Sequence, residues 1–334
     1  MELDVEKFNH SINASSLKSI LTLRYDYNQQ PIIQKLGWND FKYKKSIPIS
    51  LIENSIKNSI KNSVGDSEPK KISISLSGGI DSSLVLLFLK QVFPNSKIKS
   101  ISVKFSDSVD ETSRAKEIAN NFDVDQDVLL IDNYLEKLPH AISVSKLPFW
   151  DIHWYYVAEK AKTFSDYLAS GDGGDELFGG YVFRYSKFLS LINSNSTPLE
   201  KVKIYLQCHE RDHVSNQESL FGPKSNFNWS NIYNTILPFF DNPLSPLEQV
   251  FLADYNGKLL YNFSILNTKI INSFGIKTII PLLDKDMISH SIHMKTDEKY
   301  DVANNIGKLP FRKILEKNNM SKEILEKLRN DQDY

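Results

Sequence analysis

Two short stretches of this 334-residue chain carry the residue types that handle phosphate. The first is Ser77-Gly78-Gly79-Ile80-Asp81-Ser82-Ser83. Its two glycines let the backbone turn tightly and approach a ligand with no Cβ in the way. Backbone N–H groups of the loop and of a helix after it, aided by the hydroxyls of Ser77, Ser82 and Ser83, would cradle phosphate oxygens. A plain strand-to-helix turn with an N-cap is the alternative, but it has no need of two glycines, an acid and three hydroxyls together. The loop lacks the Gly-Lys-Ser/Thr of a Walker motif. The second stretch, Ser170 to Tyr181 (SGDGGDELFGGY), packs five glycines and three acids into twelve residues. A helix N-terminus would favour Asp175 or Glu176 singly through its dipole, but that leaves the glycines unexplained.

The segments around these loops say how they are held. KISISL (71–76) predicts a strand, Asp81 to Phe93 a helix, KSISVKF (99–105) a strand, Asp110 to Phe122 a helix, and DVLLID (127–132) a third strand. A helix over Trp154 to Phe164 then leads into the short strand DYLAS (166–170). Alternation of this kind means an α/β fold, a parallel sheet flanked by helices. Both loops follow strands, so in a parallel sheet they emerge on the same rim, where acids would meet phosphates and like charges repel. A divalent cation resolves the conflict: Asp81 and Asp175 together with phosphate oxygens suit Mg²⁺. The expectation is a two-loop ATP·Mg²⁺ site.

Outside that core the signals are weaker. Residues 1–60 read as a lead-in segment of strand plus helix: Leu17 to Tyr25 is amphipathic or strand-like, and Ile49 to Val64 has Leu51, Ile52, Ile56 and Ile60 at helical spacing. Residues 61–180 form the α/β core. Beyond Gly180 strand signals fade, and 181–334 reads as a mostly helical half that completes the site at the C-terminal ends of the strands.

These motifs carry a family resemblance. LSGGIDSS (76–83) resembles the pyrophosphate-binding loop of N-type ATP pyrophosphatases, and SGDGGDELFGGY is similar to the second signature of asparagine synthetases. The first loop alone would also admit GMP synthetase, NAD synthetase or tRNA-modifying enzymes, and the second removes most of those. The resemblance extends from LTLRYD at Leu21 through IIPLLDKDM (279–287), similar to the family's R-V-P-F-L-D stretch, to KLPFRKIL (308–315). It implies an adenine nucleotide α-hydrolase-like core and ATP cleaved to AMP and pyrophosphate. A substrate carboxylate attacks the α-phosphate, and ammonia or an amine opens the acyl-adenylate. By position, Ser77, Gly78, Gly79, Asp81 and Ser82 would hold pyrophosphate, and the backbones of Leu76 and Val103 would meet adenine. Ser170 and Gly171 would sit by the α-phosphate and ribose. Asp172 would assist proton transfer, and Asp81 and Asp175 would bind the metal.

The chain departs from the family pattern in three places. Glutamine-dependent members place a cysteine nucleophile directly after the initiator methionine, whereas position 2 is Glu2 and little chain precedes residue 60. Glutaminase activity is therefore not expected, and nitrogen would come as free ammonia, as a substrate amine, or from a separate glutaminase subunit. The late lysine that family members use to steady the adenylate would align near Arg329. Without it, Lys308 and Arg312 are the cationic candidates, with a charged surface helix as the competing reading. The IIPLLD segment lacks the family's usual Glu and Arg, with Lys277 and Ile279 in their place, so the acceptor pocket need not fit aspartate. A β-lactam synthetase or peptide cyclase is the rival within the enzyme reading, and a non-catalytic nucleotide binder lies outside it.

Composition narrows the remaining classes. Forty basic and 41 acidic side chains, 41% hydrophobic residues and a single cysteine describe an ordinary globular chain with no disulfide framework. The balanced charge, with a pI near 6.7, gives no reason to expect nucleic acid as a partner. The N-terminus has no signal-peptide core and no apolar run spans a bilayer, so a cytoplasmic protein without membrane attachment is expected. His209-Glu210-Arg211-Asp212-His213 spells H-E-x-x-H, the zinc-protease spacing, but its charged interior suits an exposed helix. Trp150, Asp151, His153 and Trp154 are weaker candidates for an acceptor pocket.

Overall fold

A computed structural model describes residues 14–106, 110–146, 151–209, 217–221, 226–318, 320 and 323–324. Five strands form one sheet: β1 (Lys71–Ser75), β2 (Lys97–Phe105), β3 (Asp125–Ile131), β4 (Tyr167–Ala169) and β5 (Lys277–Ile279). Their order is β3-β2-β1-β4-β5, and every pairing is parallel. Ile72, Ser73 and Ile74 of β1 are all fully buried, as expected of a central strand covered on both faces.

The helix Ile80–Val92 is buried along most of its length and packs with the helices Ile49–Val64 and Leu309–Lys317. The helix His153–Lys162 sets Trp154, Val157, Ala158 and Ala161 in a separate core cluster with Ile101 of β2 and Leu168 of β4. A single buried cluster runs from Ile72 and Leu84 through Phe178, Tyr185 and Phe251 to Phe311, so the sheet and the helical half share a core. Among the described residues, no helix is long and apolar enough to cross a membrane.

The sheet and its flanking helices agree with the sequence reading to within about two residues at each end. One expectation is corrected. Leu17 to Leu23 lies in a helix, Ala14–Leu23, that ends before Arg24 and Tyr25, and the lead-in has no strand among its described residues. Ser16, Ser19, Ile20 and Leu23 are buried at a spacing of three and four that a helix supplies, with Thr22 buried beside them. The helical half also contributes a strand: β5 pairs Tyr167 with Lys277, Leu168 with Thr278 and Ala169 with Ile279. Three residues are too few for any alternation to register, and the strand is made by its partner.

Candidate active site

The two glycine loops meet at one rim of the sheet. Adjacent parallel strands β1 and β4 deliver them, and they approach until main chains nearly touch: a Cβ on Gly171 would lie 2.7 Å from the Asp81 carbonyl carbon and the Ser82 nitrogen. Gly78 has a φ of +85°, which lets the chain leave β1 and enter the helix Ile80–Val92 in a few residues. The Gly79 N–H donates to the Ser77 Oγ at 3.2 Å, and the Ser77 and Ser82 hydroxyls lie 3.3 Å apart. Ser83 does not join them, because its hydroxyl donates to the Gly79 carbonyl at 2.7 Å.

In the second loop the helix Gly174–Phe178 carries Asp175 and Glu176, and Asp172 precedes it. Lys308 enters from the far end of the chain. Its Nζ lies 2.8 Å from Asp81 Oδ2 and 2.6 Å from Asp175 Oδ1, so one ammonium clamps a carboxylate from each loop. The lysine sits in a left-handed conformation, φ 56°, with its N–H on the Phe178 carbonyl. Glycines make the room: a Cβ on Gly180 would fall 1.8 Å from Asp175 Oδ1 and 2.4 Å from Lys308 Cε. Lys308 is thus a buried partner of the acids and no part of an exposed charged helix. Arg312 is buried too, but its Nε donates to the Gly307 carbonyl and braces the turn behind the lysine.

The electrostatics follow from two acids sharing one base in a buried place. Burial pushes the Asp81 carboxyl up, Lys308 pulls it back and Asp175 pushes it up again, leaving it at about 7. Burial alone would lower the Lys308 pKa, but Asp175 and Asp81 outweigh it and hold the ammonium protonated above its ordinary range. Asp81 Oδ1 is buried with no hydrogen-bond partner, an expensive state for a carboxylate oxygen. Among the described residues, no group of three or more His, Cys, Asp or Glu could hold a metal ion by itself. Two carboxylates with an unpartnered oxygen are nonetheless a fitting donor set for Mg²⁺, which keeps waters and takes its other oxygens from phosphate.

Around the clamp opens a chamber of about 320 Å³, lined by Ser77, Asp81 and Ser82 from one loop and Ser170, Gly171, Asp172 and Asp175 from the other. The Ser170 hydroxyl donates to Asp172 Oδ2 at 3.2 Å. A second chamber of about 220 Å³ adjoins it at the ends of β1 and β2, lined by Leu76, Val103 and Phe105. Leu76 has little backbone to spare there: its N–H donates to the Ile101 carbonyl and its carbonyl accepts from the Ser102 hydroxyl.

Sequence reasoning passed over Glu176 and Tyr181 as individuals. Glu176 is buried, and the Tyr181 hydroxyl donates to it at 2.5 Å. Burial and neighbouring Asp175 raise the Glu176 carboxyl to about 8 against the pull of that hydrogen bond. Only the five-residue spacing within the loop hinted at the pair. Asp151, His153 and Trp154 do line the larger chamber, while Trp150 lies outside the described residues. So do Glu210 to His213 of the H-E-x-x-H stretch, and Arg329. His209 follows the end of the helix Pro198–Gln207, with its Nδ1 2.7 Å from the Tyr205 carbonyl.

The sequence profile of the asparagine synthase family matches residues 52–331, a span that includes both loops and Lys308. The chain belongs to the asparagine synthase family. Over 138 residues this asparagine synthase-family chain is 33% identical to asparagine synthetase (glutamine-hydrolyzing) 1 of Bacillus subtilis, a stretch that is 39% of the chain and 22% of the relative. Over 112 residues it is 35% identical to a putative asparagine synthetase (glutamine-hydrolyzing) 2 of Methanocaldococcus jannaschii, 32% of the chain and 22% of the relative. The matched stretches therefore span less than a quarter of those proteins. Among solved structures, it is similar to the U34-tRNA thiolase NcsA of Methanococcus maripaludis at 17% identity and a TM-score of 0.33, covering 68% of this chain and 78% of that one. It is also similar to the NH3-dependent NAD synthetase of Campylobacter jejuni at 14% identity and a TM-score of 0.30, covering 60% and 99%.

Proposed function

We propose that the protein is an ATP-dependent, AMP-forming carbon–nitrogen ligase of asparagine synthetase type. In this reading aspartate, ATP and ammonia give asparagine, AMP and pyrophosphate. The observation that carries the reading is the clamp of Lys308 on Asp81 and Asp175, one acid from each glycine loop, beside two adjoining chambers of about 320 and 220 Å³.

Activation is needed because a carboxylate is a poor acyl donor. The substrate carboxylate attacks the α-phosphorus of ATP, the bond to the bridging oxygen of pyrophosphate breaks, and an acyl-adenylate remains. Ammonia then adds to the acyl carbon, loses a proton and expels AMP. Ser77, Gly78, Gly79 and Ser82 would hold the leaving pyrophosphate through hydroxyls and amides, with Val103 and Leu76 forming the wall for adenine. Ser170 and Gly171 would stand by the α-phosphate and ribose. Asp172, which accepts a hydrogen bond from the Ser170 hydroxyl, would take the proton from the nitrogen nucleophile. Lys308 would move with the charge, from carboxylates when the site is empty toward phosphate oxygens as they develop charge. Mg²⁺, held by Asp81 and Asp175 when bound, supplies charge neutralisation between acids and triphosphate.

An ATP–pyrophosphate exchange screen over carboxylic acids tests this reading, because exchange reports adenylation before any nitrogen source is known. Exchange with L-aspartate alone supports the asparagine assignment. No exchange with any acid, or exchange unaltered in Asp81→Ala, refutes the ligase. One observation favours a second acceptor: Ile279 is fully buried in β5, so the position where the family has arginine offers the chamber no cation for a second carboxylate. A β-lactam synthetase or peptide cyclase, with an amine of a larger substrate as nucleophile, would then show exchange with acids other than aspartate.

A further inference from the structure

The two chambers at the rim share three lining residues, Ser75, Ser77 and His153. The serines come from the chain leaving β1. His153 comes from elsewhere, as the first residue of the helix His153–Lys162. A nucleotide with its base in the smaller chamber and its phosphates in the larger one must set the phosphate nearest the nucleoside where the chambers join. We propose that His153 is a direct ligand of that phosphate, the α-phosphate of ATP and the only phosphate of AMP. The inference rests on the nucleotide-binding reading above and assigns it a residue from a third segment of the chain.

Several features fit the ring for this task. His153 is deeply surrounded by protein yet keeps accessible surface, as a side chain does when its open side faces a chamber. The buried Trp154 ring packs against it, with centroids 5.5 Å apart and planes at 38°, and limits its orientation. Asp151, two residues earlier, is itself held by the Asn262 side-chain amide at 2.6 Å, so this end of the wall is fixed before any ligand arrives. Burial lowers the His153 pKa, Asp151 opposes that and Lys258 adds to it, so the empty site holds a neutral imidazole. A neutral ring still has one N–H to donate to an anionic oxygen, and the bond strengthens if phosphate draws on a second proton. Opposite charge is scarce here: the larger chamber is lined by Asp81, Asp151, Asp172, Asp175 and Glu176, so a donor facing the phosphate has work that no acid can do.

The test compares calorimetric titrations of adenosine, AMP, Mg·ATP and inorganic pyrophosphate into the wild-type protein, His153→Ala and His153→Gln. AMP and Mg·ATP are expected to bind about tenfold more weakly to His153→Ala, with adenosine and pyrophosphate unchanged and His153→Gln recovering part of the loss. An equal loss for adenosine would put the ring on base or sugar, and undiminished AMP affinity would remove it from the site. Either result overturns the proposal while leaving nucleotide binding intact. Absence of any nucleotide binding by the wild type would overturn both. If His153→Ala does not fold, the imidazole resonance of His153 in the wild type, assigned with His153→Gln, gives the same decision. It must move with AMP and stay in place with adenosine.

Discussion

Among the described residues, two lysines are buried, in different company. Lys308 touches a carboxylate on each side, and those acids hold its charge. Lys299 is more deeply buried, 1% exposed; its ammonium donates to the Ser291 hydroxyl at 3.2 Å and lies over the face of Phe251 at 5.2 Å. Burial drives its pKa well below the ordinary value, Lys44 adds to that and Glu248 opposes it weakly. Ser291 in turn donates to the Leu177 carbonyl near the end of the helix Gly174–Phe178, so both lysines support the acid-bearing loop. Lys308 does so with charge beside a chamber, whereas Lys299 does so with shape and one hydrogen bond inside the core. Charge is retained where partners and solvent-filled space exist to use it.

The largest expected effect follows from that difference. Lys308→Met, Asp81→Ala and Asp175→Ala should each lower pyrophosphate exchange by about a thousandfold or more, since the first removes the cation facing the phosphates and the other two remove the carboxylates proposed to hold Mg²⁺. A Lys308→Met enzyme with exchange within about tenfold of wild type would make the clamp a structural ion pair. Near that magnitude stands Gly180→Ala: its new Cβ would overlap Asp175 Oδ1 and Lys308 Cε, so exchange should collapse with both charges still present. Activity close to wild type in that variant would mean the clamp can shift without cost.

How far this site is legible in the sequence differs between its parts. The glycine loops declare themselves because phosphate binding needs special residues in consecutive positions, and the strands before them because short β-rich runs such as KISISL alternate with helical segments. Lys308 is harder. Its neighbours Arg312 and Lys313 read locally as a charged helix, and its burial depends on the distant Gly180 leaving room for its stem and on the adjacent Gly307 passing close to the Gly179 carbonyl. β5 is invisible for the same reason, since Lys277–Ile279 becomes a strand by lying beside β4. The helix Ala14–Leu23 buries small serines as well as leucine and isoleucine, which blurs its apolar face. Nothing local marks Lys299 as a core residue, because long polar side chains are buried by what packs over them.

Glu176 sharpens the comparison from the acid side, as a buried carboxylate with a tyrosine hydroxyl where Asp81 has a lysine. Its folded-state pKa of about 8 lies above the ordinary 4.5. The stability it contributes is therefore complete below about pH 4.5 and is lost as pH rises through about 8. Asp81, raised to about 7, and Asp254, raised to about 6, slope the same way. Glu176→Gln keeps an oxygen for Tyr181 and removes the titration. Urea denaturation midpoints of this variant should fall less between pH 5 and pH 8 than those of wild type. Parallel slopes for the two proteins would mean that Glu176 is ionised at little cost.

The smallest expected effect belongs to Lys299→Met. The methionine matches the apolar stem of the lysine and removes an ammonium that burial already disfavours. Replacing such a buried cation by an apolar side chain of similar volume is neutral or stabilising in general, by about 1 kcal/mol or more. Against that gain stands one hydrogen bond to Ser291, worth about 1 kcal/mol net, while the Ser291 bond to Leu177 needs no help from the lysine. The two terms nearly cancel, so the melting temperature should change by only a few degrees. Pyrophosphate exchange should stay within about twofold of wild type, because neither Asp175 nor Lys308 loses a partner. If Lys299→Met instead lost exchange as Lys308→Met does, while melting at the wild-type temperature, the core lysine would be acting on the acids through the helix Gly174–Phe178, and the division between a working charge and a packed one would fail.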